Sequence, residues 1–242
     1  MSIPKIIHYC WFGRNSLPPL AKECIDSWKK YCPDYEIIEW NEDNFDINSN
    51  KYVKQAYKAK KYAFVTDYVR LYVLYAYGGI YMDTDVEVLK SLDKFLKNEA
   101  FSGFETIQTV PTGIMACVKK FPFFNELLSY YDSRDFMKKD GSYDLTTNVT
   151  IITDYCIQNG LKLNNTLQTV KGFAFYPKNY FCPKDHLSGN IHLTSETYTI
   201  HHFAGSWISR KDKMKAKTIR LLGPNITHVI VDFKKIIKKI AK

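Results

Sequence analysis

In the stretch "YAYGGIYMDTDVEVL", Tyr75 to Leu89, the residues Asp83, Asp85 and Glu87 stand on alternate positions directly after an apolar run. Side chains alternate along an extended chain, so Asp83 and Asp85 are expected on one face with Thr84 on the other. Two carboxylates held that close repel unless a positive charge sits beside or between them. Ile80, Tyr81 and Met82 come just before, which sets the pair near the C-terminal end of a strand, the edge where ligands collect in open α/β sheets. Hard oxygen ligands with open positions suit Mg²⁺ or Mn²⁺, and such ions bridge protein carboxylates to phosphates. The chemistry these residues point to is a divalent-metal site for a diphosphate. The competing reading is a solvated acidic strand end, because D-x-D alone is short and common.

The flanking helix favours the metal site. Between Ala63 and Tyr77 the only charged residues are Asp67 and Arg70; three apart, they share one helical face. As an exposed ion pair they would contribute only about 0.3–0.5 kcal/mol. In so apolar a helix they are expected to aim at a polar ligand, with Arg70 available to phosphate or sugar hydroxyls. Gly78-Gly79 then stops the helix and turns the chain into the strand.

A helix with D-x-x-R, a Gly-Gly break and a strand ending in D-x-D together resemble a known signature. "AFVTDYVRLYVLYAYGGIYMDTDVEVLKSLD" closely resembles that of the bacterial and fungal glycosyltransferases of family thirty-two, whose core is shared by the clostridial toxin glucosyltransferases. The likeness runs from Ile3 to Asp93 and returns at "IHHFAGSW". It implies a GT-A fold and a metal-dependent, retaining transfer of a hexose or N-acetylhexosamine from a nucleotide-diphosphate donor, expected to be a UDP-sugar. The acceptor it implies is a glycan or lipid-linked molecule of bacterial surface polysaccharide or glycoconjugate synthesis. Asp83 would hold the ribose and donor sugar, and Asp85 the metal, Mn²⁺ or Mg²⁺. Asp67 and Arg70 would contact the donor sugar and help its departure. Trp11 matches the tryptophan that stacks on the base, and a flat ring at a strand's end is a ready platform; a buried core Trp is the plainer alternative.

"HHFAGSW" is the second constellation. His201 and His202 are adjacent, so on a strand only one can face a site. The string is similar to the H-x-x-G of glycogenin-like transferases, which implies His202 as the third metal ligand and Ser206 and Trp207 as diphosphate contacts. In one place the chain departs from the pattern. Relatives carry Gly-Pro near the start of the helix reading "LTTNVTIITDYC", where this chain has Asn148 and Val149. His8 and Cys10, on a short strand beside Trp11, read as packing residues.

These residues need a scaffold, and the periodicities supply one. "PKIIHYCWFG", a helix from about Leu20 to Tyr31 and "YEIIEW" form a βαβ start with a parallel pair. A long helix over about Lys51 to Tyr77, in one or two pieces, leads into the strand "GIYMDTDVEVL". "AFSGFE" and "TGIMACV" read as strands, "FPFFNELLSYYDS" and "TTNVTIITDYCIQNG" as helices, and "YTIHHFAGSW" as a late strand and turn. Such alternation predicts an α/β fold, a mainly parallel mixed sheet flanked by helices, in a catalytic domain over residues 1–209.

The remaining residues, 210–242, hold eleven Lys and Arg against Asp212 and Asp232, which accounts for the whole net charge of +9. Basicity confined to a tail argues against a nucleic-acid partner. "FKKIIKKIAK" there is a cationic amphipathic helix, suited to an anionic membrane surface or to packing on its own domain. Six cysteines without metal-ligand spacing read as buried thiols of a reducing compartment. With no leader-like N-terminus, the expectation is a cytoplasmic protein, peripheral on the inner face of the membrane if the tail docks there. Two rival functions remain: an Asp-dependent phosphohydrolase, in which Glu87 would occupy a Thr/Val position, and a non-catalytic membrane adaptor.

Overall fold

The computed structural model describes residues 2–111, 113–186 and 188–205. The predicted βαβ start is present as β1 (Ile6–Cys10), α1 (Pro19–Tyr31) and β2 (Glu36–Trp40), with β1 and β2 parallel from Ile6 opposite Glu36 to Cys10 opposite Trp40. Pro19 opens α1, where a missing N–H costs nothing. The helix buries Ala21, Cys24, Ile25 and Trp28 and ends before Pro33. The Trp28 indole N–H donates to the Val86 carbonyl at 2.6 Å, which ties α1 to the chain just beyond the D-x-D.

The long helix is two. Asn50 caps α2 (Lys51–Lys58) by accepting from the Tyr52 and Val53 N–H groups. The chain breaks at Lys60, whose φ is 55°, and resumes as α3 (Tyr62–Tyr77). Gly78 ends α3 at φ 70°, and its N–H donates to the Leu74 carbonyl at 2.9 Å. A Cβ there would lie 2.6 Å from the Lys119 backbone nitrogen, and one on Gly79 would lie 2.7 Å from the Ile6 carbonyl oxygen. Only glycine lets the helix turn directly into β3 (Gly79–Met82) at the centre of the sheet.

There follow β4 (Val86–Val88), β5 (Ala100–Gly103), β6 (Ile114–Cys117), α4 (Pro122–Ser129), α5 (Asn148–Gln158), β7 (Gln168–Val170), β8 (Phe173–Tyr176), α6 (Lys178–Phe181) and β9 (Thr199–His201). The main sheet has the order β2-β1-β3-β6-β5-β8-β7, while β4 and β9 form a separate pair. Five of the seven strands run the same way, with β6 and β7 opposed. This is the mainly parallel mixed sheet of the α/β class. Every residue of β3 is buried, as in a strand covered on both faces. Alternation sorts them: Tyr81 joins the core formed with α2, α3, α4 and α5, while Ile80 and Met82 join the opposite core with Ile25 and Trp28 of α1. Each such fully buried aliphatic chain contributes about 1.5–3 kcal/mol.

All six cysteines are buried free thiols. None of the helices among the described residues is long and apolar enough to cross a membrane. The elements above lie in one compact unit, residues 1–183 with 193–202; a second contains Lys184–His192 and the chain from Phe203. In the second unit the Ser188 N–H donates to Asp185 Oδ1 at 2.7 Å. Ser206, Trp207 and the whole basic tail lie outside the described residues.

Candidate active site

The D-x-D is a turn, not the end of one strand. β3 stops at Met82 and β4 starts at Val86, leaving Asp83, Thr84 and Asp85 between two sheets. The Asp83 N–H donates to the Gly113 carbonyl at 2.8 Å, and the Val86 N–H to the Asp83 carbonyl at 3.0 Å. Alternation along a strand is therefore not what gathers the carboxylates; the turn does it.

β9 pairs antiparallel with β4, setting His201 opposite Val86. One ligand atom from each of Asp83, Asp85 and His201 falls within a cluster no wider than 4.8 Å. The structure thus places His201, rather than the expected His202, at the D-x-D. The His202 side chain goes to Glu87, with Nε2 2.9 Å from Oε2, while its backbone N–H donates to the Asp85 carbonyl at 2.9 Å. Neighbouring residues on a strand point to opposite faces, so the β4–β9 register that selects His201 sends His202 away.

Arg70 joins the helix to the turn. Its Nη2 lies 3.1 Å from Asp83 Oδ1 and 3.5 Å from Asp67 Oδ1, and its guanidinium stands 4.8 Å from the centre of the Tyr81 ring. The Tyr81 hydroxyl donates to the same Asp83 oxygen at 3.1 Å. Asp67 is held in turn by α5: the Asn148 N–H reaches Asp67 Oδ2 at 3.1 Å, and the Asn148 amide reaches the Asp67 carbonyl at 2.7 Å. As the first residue of α5, Asn148 brings an N–H that the helix itself leaves unpaired to a carboxylate. Sequence reasoning did not assign Tyr81 or Asn148 a role. The only signal was that Asn148 stands where relatives carry Gly-Pro.

Burial raises Asp67 to about 6, although Arg70 and the Asn148 N–H pull it down. Burial likewise raises Asp83, against the attraction of Arg70 and His201 and with the repulsion of Asp85. For His201 burial works against the charge, but Asp85, Cys182 and Glu105 outweigh it and hold the ring well above the ordinary imidazole value. A cation is thus already favoured at the place where the D-x-D carboxylates meet. Two carboxylates and an imidazole form a mixed O/N donor set of the kind that holds a divalent cation.

Trp11 follows the last residue of β1, and its indole N–H donates to the Asn15 carbonyl at 2.6 Å. Its predecessor Cys10 is near enough to feel the charges of Arg70 and Asp83, so this strand end borders the site. His8 and Cys10 do pack: His8 Nε2 meets the Gly78 carbonyl at 2.8 Å, Nδ1 accepts from Trp40 at 3.1 Å, and burial lowers the ring to about 4.

Residues 18–102 match the family model described as "Glycosyltransferase sugar-binding region containing DXD motif". Inositol phosphoceramide mannosyltransferase 3 of Schizosaccharomyces pombe is 31% identical over an alignment of 135 positions that covers 52% of this chain and 36% of that protein. These matches support a glycosyltransferase. A mannosyl phosphorylinositol ceramide synthase of Saccharomyces cerevisiae is 32% identical over 52% of this chain and 34% of its own length. The chain therefore spans little more than a third of either fungal relative. An uncharacterized glycosyltransferase of Acanthamoeba polyphaga mimivirus is 24% identical over 85% of this chain and 84% of its own. Among solved structures, a glycosyltransferase involved in glycosylation of the major capsid of PBCV-1 superposes with a TM-score of 0.50 at 10% identity, covering 88% of this chain and 99% of that one. At that identity the likeness concerns the fold, and it agrees with the GT-A arrangement.

Proposed function

We propose that the chain transfers a hexosyl group from a nucleotide-diphosphate sugar, with retention at the anomeric carbon, and that Asp83, Asp85 and His201 hold its divalent metal. The observation that carries this is the convergence of the three ligands at the turn, within reach of Arg70 through Asp83. The metal, when bound, would neutralise charge on the departing diphosphate. Arg70 adds a fixed positive charge, which the neighbouring Asp83 and Asp67 carboxylates sustain against the cost of burial. Asp67, anchored by Asn148, keeps Arg70 from swinging out of the site. UDP-sugar remains our reading of the donor, with Trp11 beside the base.

For the acceptor, the names of the fungal relatives favour a lipid-borne hydroxyl, such as that of an inositol phosphoceramide, over a bacterial surface polysaccharide. The basic tail, residues 210–242, would hold the enzyme at an anionic membrane where such an acceptor lies. Deleting residues from Asp232 onward should then abolish flotation with anionic liposomes.

The deciding experiment screens UDP- and GDP-sugars by thermal shift with Mn²⁺ and follows donor hydrolysis. Asp85→Asn should remove the metal-dependent hydrolysis, and a fully active variant would refute the site. Phosphate release from simple esters would instead support an Asp-dependent phosphohydrolase.

A further inference from the structure

A carboxylate stands near each ring nitrogen of His201. Its Nε2 lies 3.4 Å from Asp85 Oδ1, and its Nδ1 lies 3.4 Å from Glu105 Oε1. The ring rests against Gly113, where a Cβ would come within 3.2 Å of ring carbons Cδ2 and Cε1 and 2.8 Å of Val86 Cγ2. All three charged side chains are well covered, with 10% of His201, 16% of Asp85 and 18% of Glu105 exposed. Glu105 follows β5, and a local turn sets its backbone: its N–H donates to the Thr109 carbonyl at 3.0 Å. Glu105 is not part of the cluster formed by Asp83, Asp85 and His201. It stands behind the ring, not beside the two aspartates.

An imidazole that binds a cation through one nitrogen keeps its proton on the other. An acceptor facing that second nitrogen settles both the tautomer and the orientation of the ring. Glu105 faces Nδ1 and leaves Nε2 toward the D-x-D turn. We infer that Glu105 is a positioning residue for the cation site, orienting His201 from behind so that Nε2 is presented beside Asp85. This rests on reading Asp83, Asp85 and His201 as that site. Gly113 supports the same arrangement from another side: the absence of a side chain admits the ring, and its carbonyl holds the Asp83 N–H. One residue thereby spaces two of the three ligands.

The test is Mn²⁺ binding by the full chain without any donor, read by electron paramagnetic resonance, together with the metal-free Tm. Glu105→Ala should weaken Mn²⁺ binding by about 10–100-fold, the range seen when such partners of metal-bound histidines are removed. Glu105→Gln retains an oxygen acceptor of the same reach and should recover most of the loss. In ¹⁵N-histidine spectra of the protein loaded with diamagnetic Zn²⁺, which accepts imidazole, the His201 signal should report a proton on Nδ1 in the wild type and lose that preference in Glu105→Ala. Full Mn²⁺ affinity in Glu105→Ala, with binding lost in Asp85→Asn, would overturn the role of Glu105 and leave the site standing. Mn²⁺ binding that is absent from the wild type, or unchanged in Asp85→Asn, would overturn both. A loss in Glu105→Ala that follows a collapsed metal-free Tm and is not recovered by Gln would mark Glu105 as merely structural and also overturn the inference.

Discussion

Replacing Arg70 by Met tests the electrostatics of the site without any substrate. Methionine keeps most of the buried stem but removes the charge that faces Asp83 at 3.1 Å and Asp67 at 3.5 Å. At an effective dielectric near 20, each contact is worth roughly 5 kcal/mol before desolvation is counted. Most of that is offset by the burial of the ions, and removing one partner of such a network leaves a net loss of about 3–5 kcal/mol. In a chain of this size, Tm should fall by about 6–20 °C. The pH dependence is the sharper signature. Burial already lifts Asp67 to about 6 and raises Asp83, with Arg70 opposing both; without Arg70 both rise further. A carboxyl raised by folding binds a proton in the native state that the unfolded chain has released. Stability therefore falls as pH climbs from the unfolded value, near 4, toward the folded one, and levels off above it. The deficit of Arg70→Met relative to wild type should be smaller at pH 5 than at pH 8, in urea or thermal melts run at both. A deficit equal at the two pH values, or larger at pH 5, would refute the claim that Arg70 offsets these two carboxylates.

Other consequences are separable. His201→Gln should weaken Mn²⁺ binding at least tenfold, while His202→Gln, which gives up the contact with Glu87, should leave it nearly unchanged; equal losses would contradict the placement of the two histidines. Gly78→Ala forces a side chain into φ 70° with its Cβ 2.6 Å from the Lys119 nitrogen, and should cost about 2–5 kcal/mol in a urea melt. Asn148→Ala removes the amide donor to the Asp67 carbonyl but keeps the backbone N–H on Oδ2, so a loss of about 1–2 kcal/mol is expected. If turnover needs Asp67 ionised, kcat/KM should rise with pH to a plateau above an apparent value near 6, and a flat profile from pH 5 to 8 would exclude that requirement.

The elements that the residues announce are those whose signals are local. The βαβ start, α3 with its Gly-Gly stop, and the strand that begins at Gly79 all follow from spacing and punctuation within a few residues. β7, β8 and α6 went unread because three or four residues are too few for any period to show, and β8 joins the sheet through β5, far back along the chain. The break at Lys60 has no proline or glycine to announce it. Asn148 stood out only as an exception to a pattern, since the carboxylate it holds is 81 residues away.

The D-x-D shows most clearly where reading from residues stops. Its composition correctly points to paired carboxylates near a cation, yet an i, i+2 pair in a strand and the same pair in a turn are written identically. What separates them is the hydrogen bond from Asp83 to Gly113 and the pairing of β4 with β9, both contributed from elsewhere in the chain. That pairing also gives the two aspartates unlike surroundings. Asp83 is tied to Arg70 and the Tyr81 hydroxyl, so much of its charge is compensated from within the helix–strand unit. Asp85 faces His201, which arrives from β9. A cation entering between them would find one carboxylate already anchored by an arginine and the other paired with a proton-bearing imidazole. The first sets the position of the turn, and the second is where a metal ion would compete directly with the imidazole's proton.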